Sequence, residues 1–166
     1  MKKKRIKILC ISGALTALVF VLTAYLHIPS HTGYVHVGDA FIYLAASLLP
    51  LPFGPMVGAA GALLADCLTG YAVWAPGSII VKALSALLFS SRGDKLLTLR
   101  NGLMTIPSAL ICVGGYYLYE AVISGNFAAP LAGIAGNCTQ SILSGLLFVL
   151  LALALDRLKI KKLLDI

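Results

Sequence analysis

The sequence predicts an all-α membrane protein, a bundle of six transmembrane helices with both termini cytoplasmic. Three observations point there. Of the 166 residues, 60% are hydrophobic and only 11% charged, less charge than a soluble domain of this length displays. The apolar residues come in long runs, and a membrane-crossing helix needs roughly 17–25 of them. Lysine and arginine fall into clusters that an even number of spans brings to one side.

The first span, about 8–26, follows the basic stretch MKKKRIK. Its apolar run exceeds the roughly 7–15 residues of a signal-peptide core. No lipobox precedes Cys10, so it reads as an uncleaved helix. The second span, about 37–49, stops at PLPFGP. Thirteen residues rise only about 20 Å as a helix. This segment must be tilted, partly buried in protein, or extended back into Tyr34-Val35-His36. The third span is about 55–71, the fourth 76–90, the fifth 103–123 and the sixth 131–156. One integral-membrane domain covers 1–166, with no room for an attached soluble domain.

Charge sets the topology. Lys2, Lys3, Lys4, Arg5 and Lys7 precede the first span. Arg92, Lys95 and Arg100 lie between the fourth and fifth, and Arg157, Lys159, Lys161 and Lys162 follow the sixth. Six spans put all three clusters on one side, which the positive-inside rule makes cytoplasmic. The remaining lysine, Lys82, lies inside the fourth span. The net charge of +7 therefore marks helix ends, and no nucleic-acid partner is expected. Cys10, Cys67, Cys112 and Cys138 are scattered through apolar segments without a C-x-x-C pair and read as small buried hydrophobes.

With this topology the polar residues of separate segments reach one level. Asp39 starts the second span, and Asp66 and Lys82 lie in the outer parts of the third and fourth. Glu120 is near the outer end of the fifth, and Asn137 and Gln140 lie in the outer half of the sixth. The outer loops add His27, His31, Tyr34, His36, Tyr71 and Trp74. The inner halves are almost purely apolar. Charges in a bilayer are costly unless paired or facing a wet cavity. One cavity, open outside and sealed inside, accounts for the whole set.

Each residue also has a plainer role. Asp66 and Lys82 can form a structural ion pair. Asp39 can cap the second helix or favour its positive end. Tyr116, Tyr117 and Tyr119 can belong to an interfacial belt, and Trp74 can anchor in lipid. Asn137, Gln140 or Ser141, and Ser144 form a polar stripe suited to an uncharged heterocycle or to interhelical contact. Gly54, Gly58 and Ala62, and likewise Gly13 and Ala17, step by four as in close helix packing. On an outward face, Gly13 and Ala17 also offer a docking surface for another membrane protein.

No phosphate-binding G-x-x-x-x-G-K-[ST] loop is present, and neither H-E-x-x-H nor G-x-S-x-G occurs. A metal site is not expected, since His31 and His36 lack helical ligand spacing. Catalysis would rest on His36 and Asp39, which at i, i+3 could share a helix face. No inverted repeat or inner proton relay is visible. The chain binds something from outside without an engine of its own.

The stretches TGYVHVGDAFIYLAASLLP, GPMVGAAGALLADCLTGYAVWAPGSIIVKAL and GNCTQ together resemble the S components of energy-coupling factor (ECF) transporters, in particular those of riboflavin type, over roughly residues 10–155. The resemblance implies six helices with cytoplasmic termini in a bacterial plasma membrane. It implies high-affinity capture of a vitamin or related micronutrient from outside. The partners it implies are a transmembrane T component and two cytoplasmic ATPases. The loaded S component would topple in the membrane to release its ligand. ATP is then used by partner subunits, and this chain needs no cofactor. The family's A-x-x-x-A-like docking motif falls on Gly13-x-x-x-Ala17, which departs at its first residue. The ligand region falls on Tyr34, His36 and Asp39, with Asn137 and Gln140 opposite. The site inventory suits a pyridoxine-like or hydroxymethylpyrimidine-like ring, and also riboflavin. A strongly anionic ligand would want more cations than Lys82 alone. Two other readings stay open: a ligand-free scaffold subunit, and a small intramembrane enzyme using His36 and Asp39.

Overall fold

The computed structural model describes residues 2–30 and 33–166. Helix α1 (Lys2–Ala24) leads into an antiparallel hairpin, β1 (His27–Ser30) and β2 (Gly33–His36). Then come α2 (Gly38–Leu48), α3 (Phe53–Leu68), a 3₁₀ turn (Ala72–Trp74) and α4 (Ala75–Leu87). The short α5 (Leu99–Leu103) precedes the long α6 (Thr105–Ser124) and α7 (Leu131–Arg157), and α8 (Ile160–Leu164) ends the chain. Each of the six expected apolar segments coincides with one of the six longer helices. Three helical stretches, Lys2–Ala24, Leu99–Ser124 and Leu131–Arg157, are long and apolar enough to cross a membrane. The helices α2, α3 and α4 are apolar but shorter.

The short second helix sits at the centre. Helix α1 packs on α3, α3 on α4, α4 on α6 and α6 on α7, while α2 touches α1, α3, α4 and α7. Ala40, Ile42, Tyr43, Leu44, Ala45, Ala46 and Ser47 of α2 are accordingly buried. Of the ways sequence left open for this segment, burial in protein is what the fold adopts. Small residues permit it. A Cβ on Gly54 would come 2.6 Å from the Ala46 Cα, and one on Gly58 would come 2.9 Å from Ile42. Gly61 faces Val19 of α1 equally closely, at 2.6 Å. The glycine face of α3 therefore brings helix backbones close enough for dense packing without an intervening side chain.

The outer surface is reversed relative to a soluble protein. Leu110, Val122, Leu146 and Leu150 on α6 and α7 are exposed, as suits helices solvated by lipid tails. Gly125, at φ 64°, closes α6 in the left-handed conformation that glycine adopts without steric cost.

Residues 27–30, placed by the sequence in an outer loop, pair with 33–36: His27 opposes His36 and Ile28 opposes Val35. His27 Nδ1 also lies 3.2 Å from the Thr23 carbonyl oxygen. His31 falls outside the described residues. The hairpin packs against α7 at the end of the bundle opposite the chain termini.

The opposite, basic end is more polar inside than expected. Asn101 is fully buried, and its Nδ2 donates to Ser47 Oγ at 3.1 Å and to the carbonyls of Ser90 and Leu96 at 2.8 and 2.9 Å. Asp156 accepts from the amides of Leu96 and Leu97 at 2.7 and 2.9 Å. Lys161 Nζ donates to the carbonyls of Ser91 and Gly93 at 2.8 and 3.0 Å. These bonds pin residues 90–97, whose backbone would otherwise lack partners.

Gly58→Val therefore lowers the thermal midpoint of the detergent-purified protein, by overpacking worth about 1–3 kcal/mol. Gly13→Ala leaves it essentially unchanged, because nothing lies within 4 Å of a Cβ placed there. Equal midpoints for the two variants would refute the close-packed role of the α3 glycines.

Candidate polar cavity

Six helices and the hairpin place residues around one cavity at the hairpin end. Val19 and Thr23 come from α1, His36 from β2, Asp39 and Ile42 from α2, and Ala62 and Asp66 from α3. Ser78 and Lys82 come from α4, Tyr116 and Glu120 from α6, and Gly133, Gly136, Asn137 and Gln140 from α7. Tyr71 and Trp74 flank the entrance to α4. The cavity holds about 720 Å³ of empty space, its open mouth included. The spacing explains the convergence: residues three or four apart on a helix share a face. Gly133, Gly136, Asn137 and Gln140 make one stripe, and Ser78 and Lys82 the facing one.

A buried ion pair lies at the bottom. Lys82 Nζ is 2.8 Å from Asp39 Oδ1 and 2.9 Å from Oδ2, and both residues are 2% exposed. Gln140 Nε2 donates to the same Oδ2 at 2.9 Å. Its Oε1 accepts from the His36 backbone N–H at 3.4 Å. The pair thus links α2 to α4, and the amide extends the network to α7 and the hairpin. Lys82 Nζ also lies 5.0 Å from the Tyr116 ring centroid, within range of a cation–π attraction.

This arrangement bears on two expectations. Lys82 pairs with Asp39 of α2 rather than with Asp66 of the neighbouring α3. Asp39 is not the N-cap, which is Val37 without a side-chain hydrogen bond; it is the first-turn acid of α2, the other role the sequence allowed, with its carboxylate turned inward. Asp66 lies buried on the cavity wall.

His36 is held from three directions. Its Nδ1 accepts from the Gly38 N–H at 3.1 Å and lies 3.4 Å from Thr23 Oγ1. Its carbonyl lies 3.5 Å from Ser144 Oγ. An accepting Nδ1 places the proton of the neutral ring on Nε2. Burial pushes the imidazole pKa down to about 4, against a smaller opposing pull from Asp39, so the ring is neutral at pH 7. Helix α2 begins only at Gly38, so His36 and Asp39 do not share a helix face. Gly38 itself is tightly confined: an added Cβ would collide with Thr23 Oγ1.

An aromatic cluster lies beyond the cavity lining, one turn along α2 from Asp39. Tyr43 stacks on Phe89 with centroids 4.6 Å apart, and both meet Phe148 edge-on at 5.9 and 5.4 Å. Tyr43 stays satisfied by a 3.0 Å bond from Ser108 Oγ. This layer lies between the polar cavity and the basic end.

Eight of the nine expected site residues line this cavity: His36, Asp39, Asp66, Trp74, Lys82, Glu120, Asn137 and Gln140. The ninth, Tyr34, belongs to β2, but its side chain lies outside the described residues. Sequence reasoning passed over Thr23, Ser78 and Tyr116. Tyr116, grouped with belt tyrosines, instead lies over Lys82 with its hydroxyl 3.0 Å from Ser78 Oγ. Its spacing of four from Glu120 was the available signal. Tyr119 donates to the Val73 carbonyl at 2.6 Å and Tyr117 to that of Phe127 at 3.0 Å. Ser141 and Ser144 continue the buried stripe of α7. Among the described residues, no three His, Cys, Asp or Glu side chains gather where a metal could be held.

Removing one partner of a buried pair leaves an uncompensated charge, at a cost of about 3–5 kcal/mol. Lys82→Met and Asp39→Leu each lower the thermal midpoint strongly, while the double variant recovers most of the loss. Additive losses in this cycle would show that the two side chains do not act as a pair.

No curated protein matches the chain closely enough to count as a relative. Residues 3–157 match the family described as ECF-type riboflavin transporter, S component. The match spans all six long helices, the hairpin and every residue of the cavity. This chain, a multi-pass membrane protein, therefore belongs to the family of S components of ECF-type riboflavin transporters.

Proposed function

We propose that this chain is the high-affinity substrate-capturing subunit of an ATP-driven ECF importer in a bacterial plasma membrane. The observation that carries the reading is the cavity: every long helix sends polar or small residues to one level, and an aromatic cluster lies beyond it. Such a site loads from the hairpin end. The ligand is a vitamin or vitamin precursor with a planar ring, pyridoxine-like, hydroxymethylpyrimidine-like or riboflavin-like. Gln140, Asn137, Asp66 and Glu120 offer hydrogen bonds to its edge, and Trp74 and Tyr116 offer ring faces. The whole chain, 1–166, acts as one membrane domain of six spans. The cavity faces outside, and the termini, with their Lys and Arg, face the cytoplasm.

Energy comes from partners: a transmembrane T component and two ATPases. The docking surface is the face of α1 carrying Gly13 and Ala17. Both are exposed, and nothing packs within 4 Å of a Cβ on Gly13. A bare small-residue face admits a second helix at short range. The chain has no catalytic role in this reading.

The experiment is mass spectrometry of small molecules released from the purified protein, followed by binding of the compound found, without ATP. A stoichiometric ring compound supports the reading. An empty protein that binds no vitamin sinks it. Asn137→Leu weakens binding by about 1–3 kcal/mol through loss of a polar contact, as titration calorimetry would measure. Ala17→Leu leaves binding to the isolated chain intact and reduces uptake by cells carrying the complete transporter. Loss of binding in that variant would move α1 from docking into the site.

A further inference from the structure

Trp74 reaches the cavity from an irregular stretch of chain. The link between α3 and α4 is short, turns at Gly70 with φ 88°, and carries Trp74 at the end of the 3₁₀ turn Ala72–Trp74. Backbone bonds shape this link: the Tyr71 N–H donates to the Asp66 carbonyl at 2.9 Å, and the Trp74 N–H to the Tyr71 carbonyl at 2.8 Å. They fix the course of the backbone and leave the direction of the indole to its neighbours. A ring already in place when a ligand arrives costs less to order on binding. Whatever holds this ring therefore contributes to affinity.

Helix α6 supplies the hold. Tyr116 and Tyr119 are three residues apart and share a face of that helix. Their ring centroids lie 6.2 and 6.0 Å from that of Trp74. Among the described residues, Tyr116 lines the cavity beside Trp74 and Tyr119 does not. Tyr119 is tied to the link itself: its hydroxyl donates at 2.6 Å to the carbonyl of Val73, the residue before Trp74. Its ring closes on Gly77 of α4, where an added Cβ would come 2.6 Å from the Tyr119 Cγ. A tyrosine serving only as an interfacial anchor would turn its hydroxyl to the headgroup level. This hydroxyl is instead committed to the backbone that carries the indole.

Resting on the ligand-capturing role proposed above, we infer that Tyr119 is a positioning residue of the cavity. From outside it, through the Val73 carbonyl and the ring contact, Tyr119 holds the Trp74 indole where the flat ring of a ligand packs. Gly77 belongs to the same device, because only a missing side chain lets the Tyr119 ring approach α4 this closely.

Trp74 is the only tryptophan of the chain, so selective tryptophan excitation reads this ring alone. Its mobility is measured by time-resolved anisotropy on the full-length protein in detergent, washed free of small molecules. The same protein is then titrated with riboflavin, the ligand in the family's description. Tyr119→Phe keeps the ring and removes the hydroxyl. It is expected to raise the riboflavin Kd about three- to tenfold, the range of one neutral hydrogen bond, and to speed the anisotropy decay while the thermal midpoint is kept. Gly77→Ala, which displaces the Tyr119 ring, shifts both readings in the same direction. In the Trp74→Ala background, itself weaker in binding, Tyr119→Phe changes the Kd no further, because residues acting through one another do not add. Equal losses in both backgrounds would show that Tyr119 acts on the fold at large, and overturn the inference. An unchanged Kd or anisotropy in Tyr119→Phe overturns it as well, as does a Trp74→Ala variant that binds riboflavin as tightly as the wild type. Wild-type protein that binds no riboflavin also overturns it; ligand capture then stands if another small molecule co-purifies, and falls if none does.

Discussion

The buried pair of Asp39 and Lys82 is the constraint around which the rest is arranged. Two charges taken out of water are costly, and their attraction offsets that cost only with good geometry and with the remaining polar capacity satisfied. Here the ammonium meets both carboxylate oxygens at 2.8 and 2.9 Å, and Gln140 supplies a further donor. These contacts fix the rotation of α2 against α4 and bring Gln140, about three turns into α7, to the same point.

Helix α2 can hold this position only because its neighbours are small. Gly54 and Gly58 on α3 leave no room for a Cβ against Ala46 and Ile42. An 11-residue helix rises about 16 Å, too little to cross a hydrocarbon core of about 30 Å by itself. Surrounded by longer helices, it need not. Its upper end presents Asp39 to the cavity and its middle presents Tyr43 to the aromatic cluster. One short element thus joins a polar chamber to that cluster. Toward the basic end, Asn101, Asp156 and Lys161 hold the 90–97 segment through backbone partners. The basic end is organised by its own polar network, separate from the cavity.

How much of this was legible beforehand depends on the kind of signal. Helix positions were readable because apolar runs, PLPFGP and the basic clusters are one-dimensional patterns. The convergence of Asp39, Lys82, Glu120 and Gln140 was readable because topology converts sequence position into depth. Which of them touch was not. Asp66 and Lys82 lie on consecutive helices and looked like partners, yet Lys82 turns to Asp39. Rotation about a helix axis is decided by packing, and the sequence carries it only through many small contacts. Tyr116 was hidden for the same reason: three tyrosines in four positions look like a belt until the helix is oriented.

The sequence by itself determined that this chain is helical and membrane-bound, where its apolar helices lie, and that its polar groups share one level. Length, hydropathy and charge act locally and need no partner to be read. Only the tertiary structure decided that the shortest apolar helix is the central one, that residues 27–30 and 33–36 pair as strands, and that a closed ion pair underlies the site. Those outcomes depend on which surfaces meet across 40 to 100 intervening residues, as in the bonds from Asp39 to Lys82 and Gln140. The balance between packing and the cost of buried charge chooses among arrangements that the same linear pattern allows.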